Sequence, residues 1–421
     1  MQPSGNRLAT RPPFEPRFVQ ACAVTALALA VMTRLPFFTG LRFPLNDGGL
    51  LLAMVDAVRD AGFALPHSVH WNGLELPFAQ PPAALYLTAA LASILGVDTL
   101  SVQIWLPLVF NFASVVLFVF VAARLVENRA MLFFAAAAMP LVPSSYEWLI
   151  MGGGLTRSPG LFLTLVALAL AVRIPEAIDA RGRSSLTFGL ALVLATTVLT
   201  HLAWAMTAYA SCAIYLLDRR NDPSQRRRVL DLGVGMIVLS SPWWLTVLAR
   251  HGVDPFLAAT VAGGFESTRF WQHAFPGQLG ALHVSSFGAL AAVGFAIALA
   301  QGRRFPVLWL LATCAISPQL GATASSLPLA LLIAIAATSA CDRIAEATRA
   351  QRELLTARGA ELPGIPLIPV ATFVALFALI NLDTVALQRS PALAAISDDE
   401  RAGMDWIREH TEADARFLVV S

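Results

Sequence analysis

The chain has 421 residues, of which 57% are hydrophobic and only 13% are charged, and its mean hydropathy is +0.67. Soluble domains carry about 25% charged residues, so this composition excludes an ordinary soluble protein and indicates a polytopic membrane protein. The net charge of +2 gives no indication of a nucleic-acid partner. All 29 basic residues are arginine, which excludes any lysine-based mechanism and is typical of a GC-rich bacterial genome.

About eleven apolar segments are predicted to cross the bilayer, which needs roughly 20 residues for a perpendicular helix. Several segments are shorter than that and are flanked by proline or glycine, a pattern that suits a bundle containing a cavity. The segments are 18–39, 102–123, 130–146, 158–172, 186–200, 202–217, 229–249, 281–301, 305–317, 325–340 and 365–382.

The placement of arginine predicts the orientation of these segments. With residues 1–17 in the cytoplasm, the inner loops hold most arginines, including the cluster at 219–228, as the positive-inside rule requires. A full crossing by residues 81–96 would invert every later loop, so that segment is predicted to lie in or on the outer leaflet. The prediction is a membrane domain over 18–382 in the inner (plasma) membrane, with large outer loops at 40–100 and 250–280.

The tail, residues 383–421, is predicted to be extracytoplasmic and soluble. Ser397 to Glu400 form a capping box, with serine first and glutamate three residues later, and this predicts a helix that continues to His410. Residues 417–420 are typical of the start of a β-strand. Because a lone strand is not stable, the tail is predicted to be the start of an incomplete α/β domain.

The sequence Asn46-Asp47-Gly48-Gly49 follows the first apolar segment and is the leading functional candidate. In one interpretation Asp47 caps the helix that begins near Gly48. In the other, glycines that are poor helix formers admit a ligand close to the backbone, and Asp47 deprotonates an acceptor hydroxyl or holds a metal. The residues alone leave both interpretations open.

A family resemblance adds to this pattern. The first apolar segment, Asn46-Asp47-Gly48-Gly49, an amphipathic run at 50–63 and then Pro77-Phe78-Ala79-Gln80-Pro81-Pro82 with Tyr86 resemble the GT-C superfamily, as does Met404-Asp405-Trp406-Ile407 in the tail. These are polyprenyl-phosphate-dependent membrane glycosyltransferases, among them protein mannosyltransferases and aminoarabinose transferases. The resemblance implies an all-α membrane bundle with Asp47 as general base or acceptor-binding acid, and with Asn46, Gly48, Gly49, Gln80 and Tyr86 near the substrate.

Two departures from the family pattern stand in this sequence. Gln80 occupies the position before Pro-Pro where an aromatic residue or lysine is common, and Asn46-Asp47 replaces the usual acidic pair. A single carboxylate gives little support to a divalent metal, and the sequence implies no other cofactor.

A second candidate is the run from Gly152 to Pro159, which contains Thr156 and Arg157 at an outer helix start. It is either a flexible turn or a phosphate site made of free N–H groups, the positive end of the helix dipole and a guanidinium. The cost of an unpaired arginine near the bilayer favours the phosphate role.

Four further positions are weighed in the same way. His201 lies at a break between two segments and either hydrogen-bonds across helices or faces the lipid-phosphate pocket, as the resemblance implies. Glu266 and Arg269, in the 250–280 loop, are either rim charges or a clamp for a diphosphate or sugar. Arg34 is predicted to pair with an acid in the cavity or to extend to the interface.

The predicted activity is transfer of a sugar from a polyprenyl-phosphate donor to an acceptor glycan, lipid or protein on the outer face, by an inverting glycosyltransferase. Asp47 would act on the acceptor, and Arg157, with Arg269 or His201, on the leaving phosphate. The alternatives are a transporter or lipid flippase, and a non-catalytic scaffold with the same fold. No inverted repeat with matching broken segments is visible in the sequence, which favours the enzyme over the transporter.

Overall fold

The computed structural model describes residues 14–38, 47–150, 154–218, 223–262, 286–316, 320–356, 398–412 and 415. Helices make up most of these ranges. They are α1 (Pro16–Phe38), α2 (Gly48–Asp60), α3 (Ala83–Leu95), α4 (Thr99–Leu125), α5 (Arg129–Leu141), α6 (Glu147–Ile150), α7 (Gly154–Ala171), α8 (Ala180–Val198), α9 (Leu202–Asp218), α10 (Pro223–His251), α11 (Asp254–Ala262), α12 (Ser286–Ala300), α13 (Arg304–Ile316), α14 (Gly321–Ala324), α15 (Ser326–Thr356) and α16 (Asp398–His410). Short 3₁₀ turns cover Pro143–Ser145 and Ile174–Glu176.

The first ten predicted segments each overlap a helix over the residues described, although the helix in 130–146 ends at Leu141 and the one over 325–340 continues to Thr356. The eleventh segment, 365–382, lies outside the described residues. Within the described part, five helices are long and apolar enough to cross a membrane, at Pro16–Leu35, Thr99–Leu125, Gly154–Glu176, Ser224–His251 and Ser326–Ala347. Apolar helices of 10–17 residues stand beside them, among them α3, α5, α9 and α13. The predicted helix in the tail is present as α16, whereas Ser397 and the strand at 417–420 lie outside the described residues.

One element departs from the all-α prediction. Strands β1 (Ser68–Trp71) and β2 (Leu74–Pro77) form an antiparallel hairpin in which Trp71 pairs with Leu74. The turn residues Asn72 and Gly73 have φ of 50° and 75°, the two positive values that a type I′ turn requires. The Asn-Gly dipeptide is the sequence signal for this turn, and the prediction of an all-helical loop passed over it.

Apolar packing holds the bundle together in two main clusters. A large cluster joins α1, α4, α5, α7, α8, α9, α12, α13 and α15. A smaller one packs the apolar face of α2 against the hairpin, α3 and Leu155 of α7. The amphipathic run after Asp47 is therefore a structural helix whose buried face is Leu51, Met54, Val55 and Val58, as its sequence pattern predicts.

Arg34 does not fit either of the two roles expected from the sequence. Its side chain is fully buried, so it does not extend to an interface. Its described hydrogen-bond acceptors are neutral oxygens, those of Asn111, Thr33, Ser145 and the Pro140 carbonyl, and its guanidinium carbon lies 4.6 Å from the centre of the Tyr146 ring. Arg34 thus links α1 to α4, α5 and the 3₁₀ turn that leads into α6.

Candidate active site

Asp47 stands at the N-cap position of α2 but does not act as a cap. Its backbone has φ −65° and ψ −1°, and its side chain makes no capping hydrogen bond. Three other helix starts provide an internal comparison, because Asp98, Asn128 and Asp179 are extended (ψ between 151° and 165°) and each accepts a bond from a backbone N–H of its own helix. The capping interpretation of Asp47 is therefore wrong, because its carboxylate accepts no bond from the N–H groups of α2.

The carboxylate of Asp47 instead faces Arg157. Nη2 of Arg157 lies 3.5 Å from Oδ2 of Asp47, so the two residues nominated from separate motifs form one ion pair. The guanidinium carbon of Arg157 is also 5.8 Å from the centre of the Trp148 ring. The side chain of Asp47 is 63% exposed and that of Arg157 only 20%. The carboxylate is therefore open to solvent, whereas the guanidinium is largely enclosed by the protein.

Close packing of the start of α7 against α6 holds Arg157 in place. The hydroxyl of Ser158 donates to the Leu149 carbonyl at 2.7 Å, and a side-chain carbon at Gly154 would lie 2.0 Å from that same oxygen. Only glycine allows α7 to begin so close to α6. The glycine predicted to open a phosphate site thus sets the position of the first helical turn, which carries Arg157 and the buried Thr156.

The two glycines after Asp47 also contact protein rather than open space. The side-chain amide of the buried Gln103 donates to the Gly48 carbonyl at 2.8 Å. A side-chain carbon at Gly49 would lie 2.5 Å from Cη2 of Trp71 on the hairpin. Gln103 and Trp71 were missed from the sequence, since only the fold brings α4 and the hairpin to the start of α2.

His201 occupies the break between α8 and α9, as predicted, and lies close enough to Arg157 for an electrostatic interaction with its charge. The ring keeps some exposure, yet burial by the surrounding protein, reinforced by Arg157, lowers the pKa of His201. The imidazole is therefore neutral at pH 7. Its Nδ1 is 3.4 Å from the backbone N–H of Trp204, an arrangement that leaves the proton on Nε2 as a hydrogen-bond donor.

The Pro81-Pro82 segment joins the same region. The backbone N–H of Ala83, the first residue of α3, donates to the Leu199 carbonyl at 2.7 Å, two residues before His201. Gln80 is exposed just ahead of this contact. Tyr86, one turn into α3, packs against Phe63 with ring centres 6.4 Å apart.

Three of the predicted site residues cannot be placed on this site. Asn46, Glu266 and Arg269 lie outside the described residues. Glu147, the first residue of α6 and not one of the predicted site residues, is partly buried next to Trp148, and burial raises the pKa of its carboxyl. Within the described ranges, no group of three or more His, Cys, Asp or Glu side chains comes together.

Comparison with known proteins rests on structure. No protein-family model and no curated protein matches the sequence. Archaeal oligosaccharyltransferase AglB from Archaeoglobus fulgidus, in complex with an inhibitory peptide and a dolichol-phosphate, is similar at a TM-score of 0.57 and 15% identity. ArnT from Cupriavidus metallidurans is similar in the apo state at a TM-score of 0.52 and 16% identity, and bound to undecaprenyl phosphate at 0.50 and 17%. The chain has the GT-C fold.

The extent of the similarity defines what it supports. The alignment covers 94% of this chain but 58% of the archaeal chain, and 89% of this chain with 74% of apo ArnT. The GT-C fold predicted from short motifs is therefore confirmed. Identities this low carry the fold alone, so activity and site residues have to be argued from the contacts described above.

Proposed function

We propose that the chain is a membrane glycosyltransferase that moves a sugar from a polyprenyl-phosphate donor to an acceptor glycan, lipid or protein at the extracytoplasmic face. The observation that carries the proposal is the 3.5 Å pairing of Arg157 with an Asp47 that is not a helix cap. Sugar transfer from a phosphate releases a proton from the acceptor and leaves negative charge on the phosphate. The exposed carboxylate of Asp47 can take the proton, and the half-buried guanidinium of Arg157 can neutralise the phosphate. The GT-C fold and the lipid phosphates present in the two similar structures add support.

The reaction follows from these positions. Asp47 accepts the proton of the acceptor nucleophile, whose lone pair forms a bond to the anomeric carbon of the sugar. The bond from that carbon to the phosphate oxygen breaks in the same displacement, which inverts the anomeric configuration. The leaving phosphate takes the electron pair, and Arg157 neutralises the charge as its pairing with Asp47 loosens. His201, whose neutral ring lies near Arg157, adds an Nε2–H as a further donor.

The proposal includes the topology read from the arginines, with about eleven crossings and the N-terminus inside. The large loop with Asp47 would then lie outside and the start of α8 inside. The exposed Ser93 and Ser184 are suitable reporters. In right-side-out vesicles, we expect Ser93→Cys to react with a membrane-impermeant maleimide and Ser184→Cys to react only after lysis. The reverse pattern would overturn the orientation.

Purified protein in nanodiscs provides the functional test. The substrates are undecaprenyl phosphates carrying different labelled monosaccharides, and the measurement is release of free undecaprenyl phosphate together with transfer of label. We expect Asp47→Asn to lower turnover by about 10²–10⁴-fold and Arg157→Met by about 10²–10³-fold. Asp98→Asn, which changes an outer-loop acid that caps α4, serves as the matched control and keeps wild-type turnover.

The alternatives give different outcomes in the same material. Movement of intact lipid-linked sugar across a vesicle membrane, without release of undecaprenyl phosphate, would assign a flippase. Normal turnover in Asp47→Asn would contradict the role of Asp47 as the base. Normal turnover in Arg157→Met would contradict the role of Arg157 in binding the phosphate.

A further inference from the structure

Trp71 meets the start of α2 through the edge of its ring. The atoms nearest to a side-chain carbon placed on Gly49 are Cη2 at 2.5 Å, Cζ2 at 3.2 Å and Cζ3 at 3.5 Å. These are three consecutive atoms at the far edge of the indole, with the middle one closest. An edge-on contact leaves the two π faces of the ring directed away from the helix backbone, within one turn of Asp47.

The hairpin that carries Trp71 is anchored at its base. The backbone N–H of Phe78 donates to the His67 carbonyl at 3.0 Å and closes the loop. The guanidinium of Arg250, at the end of α10, donates to the carbonyls of Leu65 and Pro66 at 3.1 and 3.2 Å. Together with the two-residue turn, these contacts give Trp71 a fixed position, and a pre-positioned aromatic ring loses little entropy when a ligand binds.

The indole is not a member of the apolar core beneath it. Among the residues that the structure describes, Val69 and Leu76 of the hairpin pack in the cluster formed by α2 and α3, whereas Trp71 lies outside that cluster and is half-buried. A tryptophan whose only role was packing would be expected to join the cluster. Its position instead matches the aromatic side chains that line small-molecule sites and present one face to a ligand.

We propose that the indole face of Trp71 is the stacking wall of a pyranose subsite beside Asp47, an inference that rests on the proposed function. The C–H groups on one side of a pyranose ring carry partial positive charge and match the negative face of an aromatic ring. A sugar stacked on Trp71 would bring its ring within one helical turn of Asp47 while a phosphate binds Arg157. Gly49 is required because it alone admits the edge of the indole.

Binding measurements on the full chain in nanodiscs test this subsite, with undecaprenyl phosphate alone and with undecaprenyl phosphate carrying mannose, glucose or aminoarabinose as probes. We expect wild type to bind at least one sugar-bearing lipid more tightly than the bare lipid. Trp71→Ala should weaken binding of the sugar-bearing lipid by about 2- to 12-fold, the size of an aromatic stacking contribution. Affinity for bare undecaprenyl phosphate should not change.

Three variants keep the result interpretable. Trp71→Phe retains a ring and should retain most of the sugar-dependent affinity. Gly49→Ala keeps the indole but displaces its edge, so it should lose sugar-dependent affinity as Trp71→Ala does. Leu74→Ala changes the cross-strand partner of Trp71, which is 62% exposed, and is the matched control that should bind as wild type.

A second set of titrations distinguishes the source of the sugar. Methyl glycosides are added to protein saturated with bare undecaprenyl phosphate. A Trp71-dependent loss in this series alone assigns the ring to the acceptor, and a loss in the lipid series alone assigns it to the donor. Either result supports the subsite.

Other outcomes overturn the subsite. Equal loss of bare and sugar-bearing lipid in Trp71→Ala would make Trp71 a packing residue. If wild type bound all probes equally and Arg157→Met still weakened their binding, the sugar subsite would be contradicted and the phosphate site supported. If wild type bound no undecaprenyl phosphate of any kind, the proposed function would fail first and the subsite with it.

Discussion

Two arginines belong to neighbouring parts of the bundle and differ in how fully they are satisfied. Arg34 is completely buried, with four neutral oxygen acceptors and the face of Tyr146 around its guanidinium. Arg157 is partly exposed and pairs at 3.5 Å with one acid that is itself mostly in solvent. A guanidinium has five N–H donors, so Arg34 has most of its donors occupied, whereas the contact of Arg157 with Asp47 is long and easily exchanged.

This difference separates a structural cation from one that can bind a ligand. Donors that already have good acceptors inside the protein gain little from a phosphate, and moving them would leave buried oxygens unpaired. A long, solvent-facing ion pair contributes little to stability and is readily replaced by a stronger bidentate contact with phosphate. Arg34 therefore fixes the turn that leads to Trp148, and Arg157 remains available beside it.

The largest effect on folding should come from Arg34. Arg34→Met leaves the oxygens of Asn111, Ser145 and Pro140 without their donor in a buried site. At about 1–3 kcal/mol for each buried acceptor left unpaired, we expect a loss of at least about 3 kcal/mol in the free energy of unfolding. Arg157→Met, the matched change at the partly exposed site, should cost at most about 1 kcal/mol. Denaturant unfolding in detergent micelles measures both, and equal losses would break the distinction between the two arginines.

The sequence predicts these two arginines unequally. Periodic apolar segments and the positive-inside rule locate the helices, and Arg157 could be nominated because it follows three glycines at a helix start. The role of Arg34 depends on acceptors from α4, α5 and a 3₁₀ turn, which are distant in the sequence and meet only in the folded bundle. Trp71 and Gln103 were missed for the same reason, although the Asn72-Gly73 turn signal could have revealed the hairpin.

A smaller effect should appear in the pH dependence of stability, because Arg157 acts on His201 and Arg34 is not among the causes of its shift. The pKa of His201 is lowered in the folded state, so the unfolded chain binds an extra proton as the pH falls below the ordinary value of 6.5. Stability is full above that value and should decrease below it, by at most about 1.4 kcal/mol per pH unit from this residue.

Unfolding curves of wild type and variants between pH 7 and pH 5 measure that slope. His201→Gln should remove the His201 part of the slope, since glutamine does not titrate. Arg157→Met should leave the slope in this pH range nearly unchanged, because burial is the larger cause of the lowered pKa and keeps the folded ring neutral there without the charge of Arg157. An unchanged slope in His201→Gln would mean that the pKa of His201 is the same in the folded and the unfolded chain, so that the ring is not desolvated.

The smallest expected difference concerns the acid that Arg157 contacts. Asp98 accepts bonds from both the backbone N–H and the hydroxyl of Ser101, and Asp98→Ala should therefore cost about 1 kcal/mol of unfolding free energy. Asp47→Ala removes no capping bond and only a long, exposed ion pair, so it should cost less than about half of that. Loss of turnover in Asp47→Ala with stability preserved, set against loss of stability in Asp98→Ala with turnover preserved, would separate the two acids as chemistry and cap. An equal stability loss at both positions would show that Asp47 is a helix cap. The pairing with Asp47 would then give no reason to regard Arg157 as a ligand-binding residue.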